Sequence, residues 1–186
     1  MTTIQIILII SVILLAWIIG IYNTLVKLRN NRENAFADID VQLKQRHDLV
    51  PQLIAAVKGY MDHERETLEA ITSKRNKAIN ASSINEKIAA EKELSGALNG
   101  FNIQVEAYPD LKASNNFSQL QTELSDIENK LASVRRFFNS STKELNIAIQ
   151  KFPNNLLASM FGYREEDMFD LGENRTDYEK APEVKF

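Results

Sequence analysis

Asn115–Phe152, NNFSQLQTELSDIENKLASVRRFFNSSTKELNIAIQKF, is the stretch on which the fold turns. Apolar or small residues recur at Phe117, Leu120, Leu124, Ile127, Leu131, Val134, Phe138, Ser141, Leu145, Ala148 and Phe152. The steps alternate three and four without a slip, so one face of a helix stays apolar over about five heptads. A coiled-coil-like seam of this length predicts a long helix packed nearly parallel to others. Asn115 or Asn116 is available as N-cap. A comparable seam runs through Phe36, Ile39, Leu43, Arg46, Val50, Leu53, Val57 and Tyr60. Two shorter stretches lie between. One, from His63 to Ala81, turns Leu68, Ile71 and Ala78 inward. The other, from Asn85 to Tyr108, turns Leu94, Leu98, Phe101, Val105 and Tyr108 inward; Ala81-Ser82-Ser83 is the expected turn between them, one bent continuous helix being the alternative. Pro109 and Pro153 each close a helical stretch, because proline cannot continue the hydrogen-bond ladder. Pro51 has helical spacing on both sides, which predicts a kink or short break with Asp48 as a local cap. Gly96 and Gly100, four apart, predict a close approach by another helix.

With 6 glycines and 4 prolines in 186 residues, the chain is poor in helix breakers, and no alternating apolar run suggests a strand. The fold class is all-α: an N-terminal transmembrane helix followed by an antiparallel bundle of long helices, a four-helix bundle being expected. Three segments follow: an anchor at 1–22, a bundle at 23–162 and an acidic, mostly flexible tail at 163–186. The tail ends Ala181-Pro182-Glu183-Val184-Lys185-Phe186, extended by its proline and closing on an apolar residue.

The anchor reads IQIILIISVILLAWIIGIY from Ile4 to Tyr22, with no charge before Lys27. At 1.5 Å per residue it spans about 28 Å, close to the hydrocarbon thickness of a bilayer. A cleaved signal peptide would carry a positive start and a small-residue cleavage site. Here the start is Met1-Thr2-Thr3 and the far end is bulky. Trp17 and Tyr22 suit the headgroup region, and Lys27, Arg29 and Arg32 follow, so the positive-inside rule puts the bundle in the cytoplasm. Trp17, Tyr22, Lys27 and Arg29 form the expected membrane interface. Helical spacing continues through Leu25, Leu28, Ala35 and Ile39, so the anchor is expected to run directly into the bundle.

The search for chemistry is mostly negative. The absence of cysteine excludes disulfides and thiolate metal sites. A net charge of −3 without a basic run gives no footprint for nucleic acid. His63-Glu64-Arg65-Glu66-Thr67 opens like a zincin motif, but a threonine stands where the second zinc-binding histidine is required. The residues three before His47 and His63 are Lys44 and Tyr60, so the Glu-x-x-His pattern of di-iron bundles is missing. No catalytic residue, cofactor or metal ligand is assigned. What stands out is polar residues on apolar seams: Arg46 with His47 and Asp48, and Arg135 with Arg136. A buried arginine needs a carboxylate, with Glu123, Asp126 or Glu128 as candidates. Such a layer fixes helix register, and the competing reading is a ligand or partner site between helices, with His47 as a titrating member.

Several stretches together resemble the LemA family. They are Tyr22–Asn30 (YNTLVKLRN), Ile39–Pro51 (IDVQLKQRHDLVP), Val57–Tyr60 (VKGY), Glu93–Leu98 (ELSGAL), Ala107–Ala113 (AYPDLKA) and Arg135–Asn139 (RRFFN). Order and spacing match from Tyr22 through Tyr163, the Pro182–Phe186 ending fits, and Gln45 and Phe137 are small departures. The resemblance implies a bacterial, membrane-anchored antiparallel four-helix bundle without enzyme activity, cofactor or catalytic residues. It implies an inner-membrane, single-pass location. It also implies partners among envelope proteins, including an HtpX-type membrane metalloprotease, and a role in envelope quality control. The expected function is a non-catalytic scaffold or adaptor in the lipid bilayer. The alternative is an accessory enzyme or metal- or ligand-binding bundle with its site near Arg46 and His47. Seam positions left exposed would allow a homo-oligomer.

Overall fold

The computed structural model describes residues 2–61 and 64–170. His63 and the 171–186 portion of the tail, with its Pro182–Phe186 ending, lie outside the described residues. The described chain is helical: α1 (Thr3–Val57), α2 (Arg65–Asn80), α3 (Ile84–Val105), α4 (Pro109–Lys112), α5 (Asn115–Gln150) and α6 (Asn154–Met160).

As the unbroken spacing predicts, α1 is one helix from the apolar stretch into the seam. Its start is stabilised locally, because the Thr2 N–H donates to Gln5 Oε1 at 2.9 Å. The hydroxyls of Ser11 and Thr24 donate back to the carbonyls of Ile7 and Gly20, each at 2.9 Å, so these polar groups are satisfied within the helix. The expected break at Pro51 does not occur. The helix passes through Pro51 to Val57, and Asp48 is an exposed helical residue instead of a cap.

Two compact units divide the chain: residues 1–44 with 127–168, and residues 45–126 with 169 onward. In the first, Ile21 and Leu25 of α1 pack with Leu145 and Ile149 of α5 and Ala158 of α6. Phe36 meets Phe138 edge-to-face at 5.5 Å. In the second, Val50, Leu53 and Val57 of α1 share a core with Ile71 of α2, with Leu94, Leu98 and Phe101 of α3, and with Leu111, Phe117 and Leu120. The seam positions are therefore largely the buried ones. Tyr60 and Phe152, the last residue of each seam, are exposed, and Met61 is buried where Tyr60 was expected. Gly96 and Gly100 are also exposed, and a Cβ at either would meet nothing within 4 Å, so the expected close helix approach is not found there.

The turn between α2 and α3 falls where Ala81-Ser82-Ser83 predicts. Ser83 is the N-cap of α3 in a reciprocal capping box with Glu86. Replacing Ser83 with Ala should cost about 1 kcal/mol, read as a shift of the denaturant midpoint at unchanged slope. Bonds from Ser82 and Ser83 hold the Glu86 carboxyl below its ordinary value. A hydrogen bond from Lys77 does the same for Glu93, linking α2 to α3. Both folded values are depressed. Their stabilisation is therefore present above the free glutamate value of about 4.3 and is lost as the pH falls through the folded values. Hydrogen exchange should accordingly show α2–α3 protection dropping in that acid range and flat above pH 5.

From Tyr163 to Asp170 the chain has no regular structure, yet it is held. The Asn146 amide donates to the Glu166 carbonyl and accepts from the Glu166 N–H, both at 2.9 Å. Phe169 is buried. Two-point main-chain bonding and aromatic burial offset the ordering entropy of this start of the tail.

Candidate functional site: a buried arginine layer in each unit

The seam of α1 reads Leu25, Leu28, Arg32, Ala35, Ile39, Leu43, Arg46, Val50. Arginine occupies two positions separated by two heptads, and both face inward: Arg46 is 0% and Arg32 4% exposed. A guanidinium out of water demands a carboxylate and further acceptors.

In the second unit, the Arg46 Nη2 donates to Glu91 Oε2 of α3, and Nη1 donates to Ser95 Oγ at 2.9 Å. The other Glu91 oxygen lies 2.6 Å from His47 Nε2, which donates when that nitrogen carries the proton. Arg46 is thus partnered by a middle-helix carboxylate, Glu91, which was not among the candidates read from the sequence. Glu123 and Asp126 are exposed and Glu128 is half-buried. Glu91 and Ser95 are four apart on α3, so one face presents both.

Pro51 explains a further member. Lacking an N–H, it cannot donate to the His47 carbonyl one turn back. That carbonyl instead accepts from Arg75 Nε of α2 at 2.6 Å. Pro51 therefore creates the acceptor that ties α2 to α1. Replacing Pro51 with Ala should stabilise the protein by about 1–2 kcal/mol, below the roughly 3 kcal/mol of a bare interior proline. In that background Arg75→Ala should cost much less than in the parent. Equal costs in a double-mutant cycle would show that Arg75 does not act through this carbonyl.

In the first unit, Arg32 reaches the Glu166 carboxylate at 3.3 Å, the Asp167 carbonyl at 3.2 Å and Thr142 Oγ1 at 3.3 Å. Its guanidinium lies 5.0 Å from the Phe138 ring centroid. Burial lowers the Arg32 pKa, opposed by the carboxylates of Glu166 and Asp167. Arg32, counted in the sequence as a flanking membrane charge, is thus an internal residue.

The remaining sequence candidates separate. Asp48 and Arg136 are exposed; Arg135 is half-buried on α5 and belongs to the first unit, whereas Arg46 and His47 belong to the second. Trp17 and Tyr22 are 45% and 43% exposed, and Lys27 and Arg29 are exposed, Arg29 pairing with Glu33 at 3.1 Å. Arg32, Arg75, Glu91 and Ser95 were missed. The signal for Arg32 was present, since it sits on the same seam as Arg46. Glu91 carried no such mark among many surface glutamates.

An open cleft of about 830 Å³ lies between the end of α1 and α2, lined by Ile54, Lys58, Met61, Leu68 and Thr72 among others, and not by Arg46 or His47. Among the described residues no group of three or more His, Asp or Glu side chains could hold a metal ion.

A seam helix with an outward-facing apolar extension, and buried arginines that tie later segments to it, defines a helical protein whose polar centres join elements together. The chain belongs to the LemA family, whose model matches residues 35–186. It is 28% identical over 156 residues to protein LemA of Metamycoplasma hominis, covering 83% of this chain and 71% of that one. It is 26% identical over 174 residues to the magnetosome protein MamQ of Magnetospirillum gryphiswaldense, and 23% identical to MamQ 2 of Paramagnetospirillum magneticum. Each of these matches covers 80% of this chain and 64% of the relative.

Proposed function

We propose that the protein is a non-catalytic scaffold or adaptor held in the bacterial inner membrane by the start of α1, with its four long helices α1, α2, α3 and α5 as an antiparallel bundle on the cytoplasmic side. The observation that carries this reading is the change of character along one helix. Up to Gly20 the apolar side chains face outward, with Ile4 72%, Val12 60% and Leu15 59% exposed, and from Ile21 the seam is buried. Only 6% of the most apolar window is buried. So many uncovered apolar residues on a water-soluble helix would be unstable to aggregation, whereas lipid satisfies them. The buried polar groups support a structural role. Both Glu91 oxygens are engaged, one by Arg46 and one in the His47 contact, so that the carboxylate joins α3 to α1.

The full chain should remain in the membrane pellet after an alkaline carbonate wash, and a chain lacking residues 1–22 should not. A C-terminal reporter active only outside the cytoplasm would overturn the orientation. In-cell crosslinking of the full chain should recover envelope proteins, an HtpX-type metalloprotease among the candidates. Recovery no greater than from a chain deleted for 23–162 would sink the adaptor reading. A stoichiometric metal in the purified protein would favour the metal-binding alternative.

A further inference from the structure

The end of α5 and the short α6 leave large apolar side chains uncovered in the first unit. Phe152 is 74% exposed, Leu156 60% and Met160 78%. Leu156 and Met160 are four residues apart on α6 and share a face, while Leu157 and Ala158 turn into the core. A lone exposed leucine needs no explanation, but three large apolar side chains left uncovered in one short stretch mark a docking face.

The neighbours of α6 identify the occupant. Ala158 packs with Ile21 and Leu25, where the outward-facing part of α1 gives way to the buried seam. The Phe161 ring meets Tyr22 edge-to-face at 5.0 Å. Tyr163 packs on the same cluster, and its phenol pKa is raised by burial, with Tyr22 as a charge neighbour. Tyr22, Phe161 and Tyr163 therefore gather at the end of the apolar stretch, the depth at which aromatic side chains prefer the bilayer interface. Lys27 and Lys151 are exposed nearby in sequence, a charge pattern suited to anionic headgroups.

We propose that Phe152, Leu156 and Met160 insert into the headgroup–acyl boundary, giving the protein a second lipid contact beside the α1 anchor. A single membrane helix is free to rotate and tilt, and a contact displaced from its axis fixes both for the first unit. The proposal rests on the anchor reading, and its test separates the two.

The chain has no cysteine, so single-cysteine variants carry a unique label. Leu156→Cys and Met160→Cys, each in the full chain, would be labelled with an environment-sensitive fluorophore. They would then be reconstituted into phosphatidylethanolamine–phosphatidylglycerol vesicles containing nitroxide lipids. Leu8→Cys reports the anchor, and Val41→Cys, at an exposed position of α1, is the aqueous control. The expected result is loss of emission at positions 8, 156 and 160, with 41 unaffected. Quenching at 8, with 156 and 160 behaving like 41, overturns this inference and leaves the anchor standing. No quenching at 8 removes both. Protection of 156 and 160 from aqueous iodide without lipid quenching assigns the face to a protein neighbour and also overturns it.

Discussion

Glu91→Ala is expected to be the most damaging single substitution in the second unit, costing about 3–5 kcal/mol, because it removes the buried Glu91 carboxylate that the Arg46 guanidinium binds. Arg46 is 0% and Glu91 1% exposed by side chain, so water cannot replace the lost partner without opening the core. For a protein of this size the loss corresponds to a fall in Tm of roughly 6–20 °C. Glu91→Gln keeps the shape and one acceptor but removes the charge, and should fall between the two. The companion experiment removes both ends: Arg46→Met with Glu91→Leu should recover most of the stability, since an apolar pair of similar volume avoids the desolvation cost. Thermal melts of the three variants test this together. A Glu91→Ala loss below about 1 kcal/mol would mean that the guanidinium finds another partner or becomes solvated. His47→Ala isolates the rest of the cluster. If the layer is structural, stability falls, whereas loss of a partner at intact stability would make it a binding site.

Arg32→Ala should act on a different segment. One side chain there ties Glu166, Asp167 and Thr142 together over the Phe138 ring. Its removal forfeits charge-assisted hydrogen bonds and a cation–π contact, about 2–3 kcal/mol in total. Because Glu166 is partly exposed, its carboxylate recovers hydration and the cost stays below that of Glu91→Ala. The signature should be local: faster hydrogen exchange at the Glu166 amide, which donates to Asn146 Oδ1, while the second unit keeps its protection. Arg32→Lys keeps the cation but not the planar fork, and should restore only part of the protection. Unchanged exchange at Glu166 in Arg32→Ala would show that Asn146 and the burial of Phe169 hold the segment alone.

Arg32 and Arg46 illustrate what was legible. Seam periodicity alone marks both as inward-facing, since Arg32 stands between Leu28 and Ala35 and Arg46 between Leu43 and Val50. Arg32 was instead read as a flanking membrane charge, because proximity to an apolar stretch is an equally simple rule. The carboxylate partners were not legible. Glu91 and Glu166 have the same local sequence character as glutamates that remain exposed, and only the packing of α3 and the course of 163–168 brought them to the guanidinium groups. Pro51 shows where local rules stop. Local rules predict a broken ladder there, and the ladder does lose one donor, but Arg75 from another helix satisfies the freed carbonyl and the helix continues.

By itself, then, the sequence determined that the protein is helical, which faces of the long helices are buried, where the α2–α3 turn falls, and that the first helix begins with a bilayer-length apolar stretch. These follow from periodicity, capping and composition, which act within a few turns of chain. Only the tertiary structure decided which carboxylate neutralises each arginine, that Gly96 and Gly100 face open space, that residues 163–170 are held, and that α6 packs beside Tyr22. Those outcomes depend on contacts between residues tens to more than a hundred positions apart, and no local rule encodes which of several equivalent side chains will arrive.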